Sequence, residues 1–260
     1  MAERLVEPTK VQVLAFCAQD SVERVFLEEA ARRGIGRFAA LERDRRLLAL
    51  CYFGANLVPS GRGCGALAPA AASTRARMII GEEQAVGELW EAARDRLPEP
   101  RQDRPGQPVY AIREPPSPGG TGLRAARPGD VQLLLPACAA AHEAELGVDP
   151  LERDADGFRW RTEAQIVEGR SWVWVERETI LFKAEASAWT PSAVQLQQVW
   201  VDPAARNRGY AKRGLADLCR LLLARVSTVC LFVRRENAPA IRVYEAVGMR
   251  SQLRYRSLLF

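Results

Sequence analysis

Hydrophobic and polar positions follow two different periods along the second half of the chain, which indicates alternating strands and helices. Alternation with a period of two predicts strands, whereas apolar positions three and four residues apart predict amphipathic helices. The predicted order is strand, two helices, three strands, helix, strand, helix and strand. In that order the elements cover 123–126, 130–145, 158–168, 171–176, 179–187, 193–201, 210–224, 229–233, 238–247 and 252–260.

The first half shows a weaker version of the same alternation. A faint internal echo links the halves, because Glu42 to Ser60 parallels Glu176 to Ser192 with a two-residue difference in the spacing to proline. Such an echo arises either by duplication or by chance. Both halves predict an α/β fold (α+β, mixed sheet). The first-half helices are predicted at 21–31 and 82–96, and its strands at 38–42, 47–53, 77–80 and 109–112.

A stretch rich in proline and glycine, 97–122, separates the two patterned halves. Prolines at this density exclude the interior of a helix, and the glycines at its end favour an irregular backbone. The run 109–112 within it still predicts a short strand, so the linker proper is 114–122. The predicted domains are therefore 1–113 and 123–260.

Composition places the chain among ordinary globular proteins. Of its 260 residues 48% are hydrophobic and 27% are charged, and the formal net charge is +5. The basic residues are interspersed with Asp and Glu rather than clustered with aromatic residues, so we expect no nucleic-acid partner. No apolar run approaches the ~20 residues that span a bilayer, and no leader-like segment opens the chain. We expect a cytoplasmic protein without a membrane partner, and the sequence carries no sign of an oligomeric state.

Side chains that bind metals or form nucleophilic triads are scarce. Six cysteines occur without a C-x-x-C pair, and His142 is the single histidine. A zinc site and a Ser/His/Asp or Cys/His arrangement need more of these side chains in suitable spacing. We therefore expect no metal. The cysteines are expected to be small core residues, and His142 a structural helix residue.

The segment 201–211 joins a predicted strand to a predicted amphipathic helix through arginine and glycine. The first backbone N–H groups of a helix have no partner within it, and with the helix dipole they suit an anion such as pyrophosphate. Gly209 lets the backbone approach phosphate oxygens without a Cβ, while Arg206 and Arg208 supply charged donors. This turn is therefore a predicted anion-binding cradle.

Two linked motifs give the cradle a family context. Arg206, Gly209 and Ala211 form R-x-x-G-x-A, and 237–249 follows N-x-x-A-x-x-x-Y-x-x-x-G-F with Met249 in the usual aromatic place. Both resemble motifs of the GNAT acetyltransferases, in which the first grips the pyrophosphate of acetyl-CoA. The resemblance implies a C-terminal GNAT fold. The smaller N-terminal α/β domain is degenerate GNAT-like if the echo reflects a duplication.

Four further segments, 49–59, 145–148, 182–185 and 198–201, resemble a group of actinobacterial proteins in which a domain of unknown function precedes a GNAT domain. The resemblance covers most of both halves. It implies acetyl-CoA as cosubstrate and N-acetyl transfer to an amine. The acceptor is left open among a protein lysine, a protein N-terminus and a small amine.

The resemblance also implies a set of cofactor-binding residues. The edge of the strand that ends at Val201 would hold the pantetheine through backbone hydrogen bonds, and the diphosphate would lie on the turn. Asn237 has the alternative role of capping the helix that follows it. The predicted set is Val199, Trp200, Val201, Arg206, Asn207, Arg208, Gly209, Tyr210, Ala211 and Asn237.

Acetyl transfer from a thioester needs reactants held together, a neutral amine and a proton for the departing thiolate. Tyr244 is the candidate acid, with a core aromatic residue as the alternative. Glu145, at the break between two helices, and Glu185, beside the central strand, are the candidate bases, and each is equally interpreted as a solvated carboxylate. Gln195 and Gln197 are candidates for lining an acceptor pocket, because an amide both donates and accepts.

The first half lacks arginines at the corresponding turn, where Gly81-Glu82-Glu83 is expected to stand. Carboxylates at a helix start satisfy the amides themselves and repel phosphate, so the first half is predicted not to bind CoA. The leading function is direct acetyl transfer in a ternary complex. The alternatives are a tandem GNAT similar to mycothiol synthase, whose acceptor is an amino sugar conjugate, and a non-catalytic CoA-binding regulator whose first half binds a protein.

Overall fold

The computed structural model describes residues 3–260, and the chain forms two compact units. The first unit consists of the chain up to Ala111, together with Phe232–Ala238 and Ser251–Phe260. The second unit consists of Ile112–Leu231 and Pro239–Arg250. Two short C-terminal segments therefore fold with the N-terminal half of the chain.

The N-terminal half contains short strands and compact helices. Its strands are β1 (Arg4–Val6), β2 (Arg37–Arg43), β3 (Arg46–Phe53), β4 (Leu57–Gly61), β5 (Met78–Glu82) and β6 (Gln102–Ile112). Its helices are α1 (Lys10–Cys17), α2 (Val25–Arg33), α3 (Ala68–Ala71, which continues a 3-10 turn, Cys64–Leu67) and α4 (Glu83–Ala93).

The C-terminal half contains longer strands and helices. Its strands are β7 (Arg124–Ala125), β8 (Ser171–Glu176), β9 (Thr179–Trp189), β10 (Ala193–Trp200), β11 (Thr228–Phe232) and β12 (Arg250–Leu259). Its helices are α5 (Val131–Leu146), α6 (Pro150–Val167), α7 (Tyr210–Leu223) and α8 (Ala238–Val247).

The sheet of the first unit has the strand order β1-β2-β3-β4-β5-β12-β6. Its two faces are visible along β3, where Ala49 and Cys51 face the core under α4, and Leu50 faces the core under α1 and α2. The last strand of the chain, β12, pairs antiparallel with β5. Leu258 on β12 is fully buried in the core under α4, so the C-terminal end of the chain completes the first unit.

The sheet of the second unit has the strand order β11-β10-β9-β8-β7. β10 runs parallel to β11 and antiparallel to β9, so the sheet is mixed and the predicted α/β fold class is confirmed. Neighbouring residues of a strand point to opposite faces. Phe182 on β9 packs against Gly214 of α7, whereas Lys183 contacts Cys138 of α5. The two helices therefore cover opposite faces of this sheet.

The two halves of the chain have the same order of elements, namely strand, two helices, three strands, helix, strand, helix and strand. The hairpin β2–β3 turns at Asp44 and Arg45, and the hairpin β8–β9 turns at Arg177 and Glu178. All four residues have positive φ, as a two-residue type I′ turn requires. The faint echo seen in the sequence thus coincides with the same hairpin in each half.

Several predicted boundaries are wrong, and local capping explains them. The helix predicted from 158 begins at Pro150, because Asp149 caps it and the backbone of Asp154 absorbs a kink with φ −163° and ψ 73°. The strand predicted at 109–112 is the end of β6, which passes through two prolines. Next to Pro105 the strand is irregular: Gly106 has φ +66° and donates its N–H to Glu83 Oε1.

Other elements of the first half escaped prediction or were displaced. The short strands β1 and β4 and the helix α1 carry too few periodic positions to be recognised by spacing alone. The helix expected at 21–31 begins only at Val25, since residues 21–24 form a turn held by the side chain of Asp20. These elements depend on their neighbours for stability rather than on a strong local pattern.

We expect Leu258→Ala to lower the free energy of unfolding of the full chain by about 2–5 kcal/mol, because it leaves a cavity in the core under α4. Leu221→Ala is the matched control, since Leu221 lies on the surface of α7 and is 36% exposed. Chemical denaturation of both variants measures the difference. Equal effects of the two substitutions would contradict the burial of β12 in the first unit.

Candidate active site

In the second unit the two parallel strands β10 and β11 stay paired over a short distance only. Their register comprises Ala193 with Thr228, Val194 with Val229 and Gln195 with Cys230. β10 then continues to Trp200, and its side chains change from buried to half-buried after Leu196. The second half of β10 is therefore a strand edge that parallel pairing with β11 does not use.

The same part of β10 contains an irregularity. On its β9 side the register shifts between Gln197 and Trp200, and Gln198 has φ +48°. A positive φ is unusual for a residue with a side chain and costs of order 1–3 kcal/mol when the surroundings impose it. The bulge changes the direction of the backbone groups from Gln198 onward, immediately before the turn that leads to α7.

The turn from β10 to α7 is open. Gly209 precedes the helix with φ +80°, no side chain caps the helix there, and a Cβ at Gly209 would meet no atom within 4 Å. Arg206 and Arg208 are exposed beside it. Asn207 also has a positive φ, of 61°, which asparagine tolerates better than most residues. The predicted cradle thus has an uncapped helix N-terminus and two accessible guanidinium groups.

The remaining predicted cradle residues line the same turn. Tyr210 and Ala211 form the first positions of α7 and are half-buried. The Tyr210 ring packs edge-on against Trp174, with ring centres 5.1 Å apart. The guanidinium of Arg208 lies 5.4 Å from the centre of the Tyr210 ring. These contacts give the start of α7 a fixed wall without covering its amides with a side-chain cap.

Two of the candidate catalytic residues, Tyr244 and Glu145, interact electrostatically. Tyr244 on α8 is 6% exposed, and Glu145 lies exposed near the end of α5. Burial raises the pKa of the Tyr244 phenol, and the negative charge of Glu145 raises it further. The phenol therefore keeps its proton at neutral pH. A buried proton holder and an accessible carboxylate are the two groups that an acid and a base would need.

The third candidate, Glu185, lies in a different environment. It is 7% exposed, and its Oε1 accepts a hydrogen bond from Lys183 Nζ at 2.6 Å and one from Cys138 Sγ at 3.2 Å. Its Oε2 accepts from Gln197 Nε2 at 3.4 Å. Because both oxygens are engaged inside the protein, the contacts of Glu185 fit a structural counter-ion better than a base that meets an acceptor.

The other polar residues considered from sequence have individual surroundings. The Gln195 amide donates to Ser187 Oγ at 2.9 Å, so it is held between β9 and β10. His142 packs its ring edge against Phe158 at 5.7 Å between ring centres. Asn237 lies just before α8, in the segment Phe232–Ala238 that folds with the first unit.

The first unit contains a counterpart of the open turn, at Gly61-Arg62-Gly63-Cys64, which follows β4. Gly63 has φ +83° and precedes the 3-10 turn, as Gly209 precedes α7. Here, however, Oε2 of Glu88 on α4 accepts hydrogen bonds from the N–H groups of Gly63 and Cys64, at 2.7 and 2.9 Å. A carboxylate from the same unit occupies the position that an anion would take.

This arrangement corrects the position assigned from sequence. Glu82 ends β5 and its carboxylate caps α4 by accepting from the N–H groups of Gln84 and Ala85. It therefore belongs one strand later than the turn that corresponds to the cradle. The displacement arose because β4 was not recognised. The physical argument about a carboxylate still holds, but it applies to Glu88, which no sequence motif identified.

Lys183 and Gln198 also escaped sequence reasoning. Both stand in segments that carried a family resemblance, 182–185 and 198–201, but no role was attached to them. A lysine placed inside a strand of apolar residues was the available signal, because such a side chain is rarely buried without partners. In the structure Lys183 is fully buried and its ammonium group has three partners at 2.6 to 2.9 Å.

Two family models match the chain. Residues 139–249 match the Acetyltransferase (GNAT) family, and residues 36–134 match a Domain of unknown function (DUF4081). The chain therefore carries a GNAT-family domain in its C-terminal half, with a DUF4081 domain before it. No curated protein matches the sequence.

Solved structures with the same fold extend over both halves. A GCN5-related N-acetyltransferase from Sphaerobacter thermophilus is 18% identical over 98% of this chain and 94% of that chain, with a TM-score of 0.62. A GNAT-family acetyltransferase from Colwellia psychrerythraea is 12% identical over 100% of both chains, with a TM-score of 0.58. A tandem GNAT protein from the clavulanic acid biosynthesis pathway is 12% identical over 99% of this chain and 98% of that chain, with a TM-score of 0.57. These similarities show the fold.

Residues 3–260 contain neither a membrane-spanning helix nor a cluster of metal-binding side chains. In this part of the chain no helix is both long and apolar enough to cross a membrane. Within the same range, no three or more His, Cys, Asp or Glu side chains converge on a position for a metal ion. All six cysteines are buried and none is in a disulfide. Burial raises the pKa of Cys219 to about 12, so this thiol keeps its proton at neutral pH.

We expect Glu88→Ala to lower the free energy of unfolding by about 0.5–2 kcal/mol, the usual cost of losing a side chain that caps helix N–H groups. Glu91→Ala is the matched control, because Glu91 lies on the same helix and pairs with the exposed Arg94. Thermal or chemical denaturation measures both. An unchanged free energy of unfolding in Glu88→Ala would show that Glu88 does not hold the turn after β4.

Proposed function

We propose that the protein is an N-acetyltransferase that moves an acetyl group from acetyl-CoA to an amine. The observation that carries the proposal is the open N-terminus of α7, which follows the bulged and parted strand β10. An uncapped helix start attracts a diphosphate through its free N–H groups and its dipole. The strand edge before it offers further backbone groups to an extended ligand.

The cofactor-binding residues proposed from sequence fit such a ligand. Val199 lies in the bulge of β10, and Trp200 and Val201 follow it at the end of the strand, beyond the residues that pair with β11. Residues 206–211 then present two guanidinium groups and a glycine without steric cover. Acetyl-CoA, held there, would supply the acetyl group as a thioester.

Positioning would contribute most to the reaction. Holding two reactants in a suitable geometry is worth about 7–11 kcal/mol. Removing a proton from a lysine-like amine at pH 7 costs about 4.6 kcal/mol, from its ordinary pKa near 10.4. A base is therefore useful but less important than a cleft that aligns the amine with the strand edge of β10. The parting of β10 from β11 supports such a cleft.

Tyr244 and Glu145 are the proposed acid and base. Tyr244 retains its proton because burial and the Glu145 carboxylate raise its pKa, so its hydroxyl is able to share a proton with a departing thiolate. Glu145 is preferred to Glu185 as the base because it is exposed, whereas Glu185 is enclosed by Lys183, Cys138 and Gln197. We infer that direct attack by the amine, with no acyl-enzyme, suits this pair.

The tandem arrangement is supported by the repeated element order and by the fold-level similarity over the whole chain. We propose that only the second half binds acetyl-CoA, because Glu88 occupies the corresponding turn of the first half. The proposed acceptor class is an amine, on a protein or on a small molecule.

We expect one CoA site per chain and at least a tenfold higher Kd for CoA in Gly209→Asp, about 1.4 kcal/mol, because the new carboxylate repels the diphosphate. Arg206→Ala should act in the same direction. Gly169→Asp is the control. Gly169 ends α6 with φ +68° and open space around a Cβ, so the backbone cost is the same without a cradle. Isothermal titration calorimetry measures all four proteins.

A second CoA site in the wild-type protein would contradict the role given to Glu88. Equal loss of affinity in Gly209→Asp and Gly169→Asp would mean that backbone strain, not repulsion in the cradle, explains the effect. Unchanged affinity in Gly209→Asp would remove the basis of the proposed function.

We expect Tyr244→Phe to lower kcat by about 10²–10⁴-fold, the usual range for an acid or base, with little change in the Kd for CoA. Because the pKa of Tyr244 is raised, wild-type kcat should not fall through loss of its proton below about pH 10. Release of thiol from acetyl-CoA, scanned over a panel of amines and host proteins, is the measurement.

Tyr255→Phe is the matched control, because it removes a hydroxyl of similar burial that donates to the Glu23 carbonyl at 2.6 Å in the first unit. If the wild type binds CoA but releases no thiol with any amine, the regulator alternative is favoured over catalysis. If the wild type releases thiol and Tyr244→Phe and Glu145→Gln leave that release unchanged, the roles given to Tyr244 and Glu145 are wrong.

A further inference from the structure

Lys183 connects three elements of the second unit through its ammonium group. The group donates to Glu185 Oε1 on β9 at 2.6 Å, to Cys138 Sγ on α5 at 2.9 Å and to Gln198 Oε1 on β10 at 2.9 Å. An ammonium has three N–H donors, and all three are used. No exposed surface of Lys183 remains, since its fractional exposure is 0%.

The charge of Lys183 is balanced inside the cluster. Burial by itself lowers the pKa of Lys183, but the Glu185 charge and the contact with Cys138 outweigh it, so its pKa lies above the ordinary value. Burial raises the pKa of Cys138 to about 12, so its thiol keeps its proton and donates it to Glu185. The ammonium is therefore a permanent charged donor, paired with one carboxylate.

The partner on β10 is the residue with the strained backbone. Gln198 has φ +48° and lies within the register shift between Gln197 and Trp200. A side chain in this conformation is unfavourable unless the surroundings hold it. The only hydrogen bond that the side chain of Gln198 makes among the described residues is the one from Lys183. That bond ties the bulge to the buried cluster.

We propose that Lys183 is a positioning residue, whose ammonium holds the Gln198 side chain and thereby keeps the bulge of β10 in the form that presents Val199–Val201 to acetyl-CoA. The inference rests on the proposed function for the identity of the ligand. It also gives Glu185 a role, as the counter-ion that lets the ammonium be buried, in place of the role of general base.

A purely structural role for Lys183 makes a different prediction. In that case removing the ammonium lowers stability throughout the second unit, and a protein that still folds binds CoA normally. Under the proposal, the loss is concentrated at the bulge. Glycine at position 198 should correct it, because glycine adopts a positive φ without a side chain that needs holding.

The main experiment compares the wild type with a protein in which both members of the ion pair are neutral, so that neither charge is left buried without its partner. The double substitution Lys183→Met, Glu185→Gln should raise the Kd for CoA at least tenfold over the wild type. Adding Gln198→Gly to the double substitution should return the Kd to within about threefold of the wild type. Calorimetry gives the three constants. Equal constants for the first two proteins, or no recovery with glycine, would overturn the proposal.

A second pair of variants leaves the buried charges in place and avoids a folding failure. Gln198→Ala removes the acceptor of the Lys183 bond but keeps a side chain at the strained position, whereas Gln198→Gly removes both. Gln198 is half-buried, so neither change opens a large cavity in the core. We expect Gln198→Ala to weaken CoA binding more than Gln198→Gly does. The opposite order would count against the proposal.

Hydrogen exchange without ligand separates this inference from the proposed function. In the Lys183→Met, Glu185→Gln protein, amides of residues 197–201 should exchange at least tenfold faster than in the wild type, while those of β8 stay unchanged. If exchange changes in this way but the wild-type protein does not bind CoA, the positioning role of Lys183 is upheld and the acetyltransferase assignment is rejected. A uniform increase over β8 and β10 would show that Lys183 only stabilises the core.

Discussion

The first N–H groups of a helix have no partners inside the helix and need an acceptor from elsewhere. Each half of the chain meets this need differently at the turn between a strand and the next helix. In the first unit Glu88 satisfies the amides of Gly63 and Cys64. In the second unit Gly209 precedes α7 with almost the same φ, but no side chain caps the helix. The turn of the first unit is therefore occupied by the Glu88 carboxylate, whereas the corresponding turn of the second unit is open to an anion from outside the chain.

The open turn follows from its sequence because every feature is local. The spacing of Arg206, Gly209 and Ala211, the strand before them and the amphipathic helix after them lie within a short stretch, and α7 ends within one residue of its predicted end. The first half was less predictable for the opposite reason. The strand β4 includes Pro59, and its antiparallel pairing with β3, not its own pattern, stabilises it. Missing that strand displaced the counterpart of the cradle to Glu82.

Contacts between residues far apart in sequence were beyond local patterns. Glu88 reaches back 25 residues to Gly63, and Lys183 joins a helix residue 45 positions earlier to a strand residue 15 positions later. Each contact depends on how elements pack, which spacing does not reveal. Glu88 accepts from backbone N–H groups at the turn of Gly63, and Lys183 bonds to Gln198, whose backbone has a positive φ. Buried charges and unusual backbone thus occur together in this protein, and that combination marks the places where sequence reasoning was incomplete.

The position of β12 in the sheet of the first unit affects where the chain can be divided into domains. A cut in the segment 114–122 would separate the two motif-bearing halves, yet it would take from the first unit the strand between β5 and β6. The exposed edges of those strands, and the cavity left by Leu258, would then face water. The N-terminal half therefore depends on the last residues of the chain for a complete core.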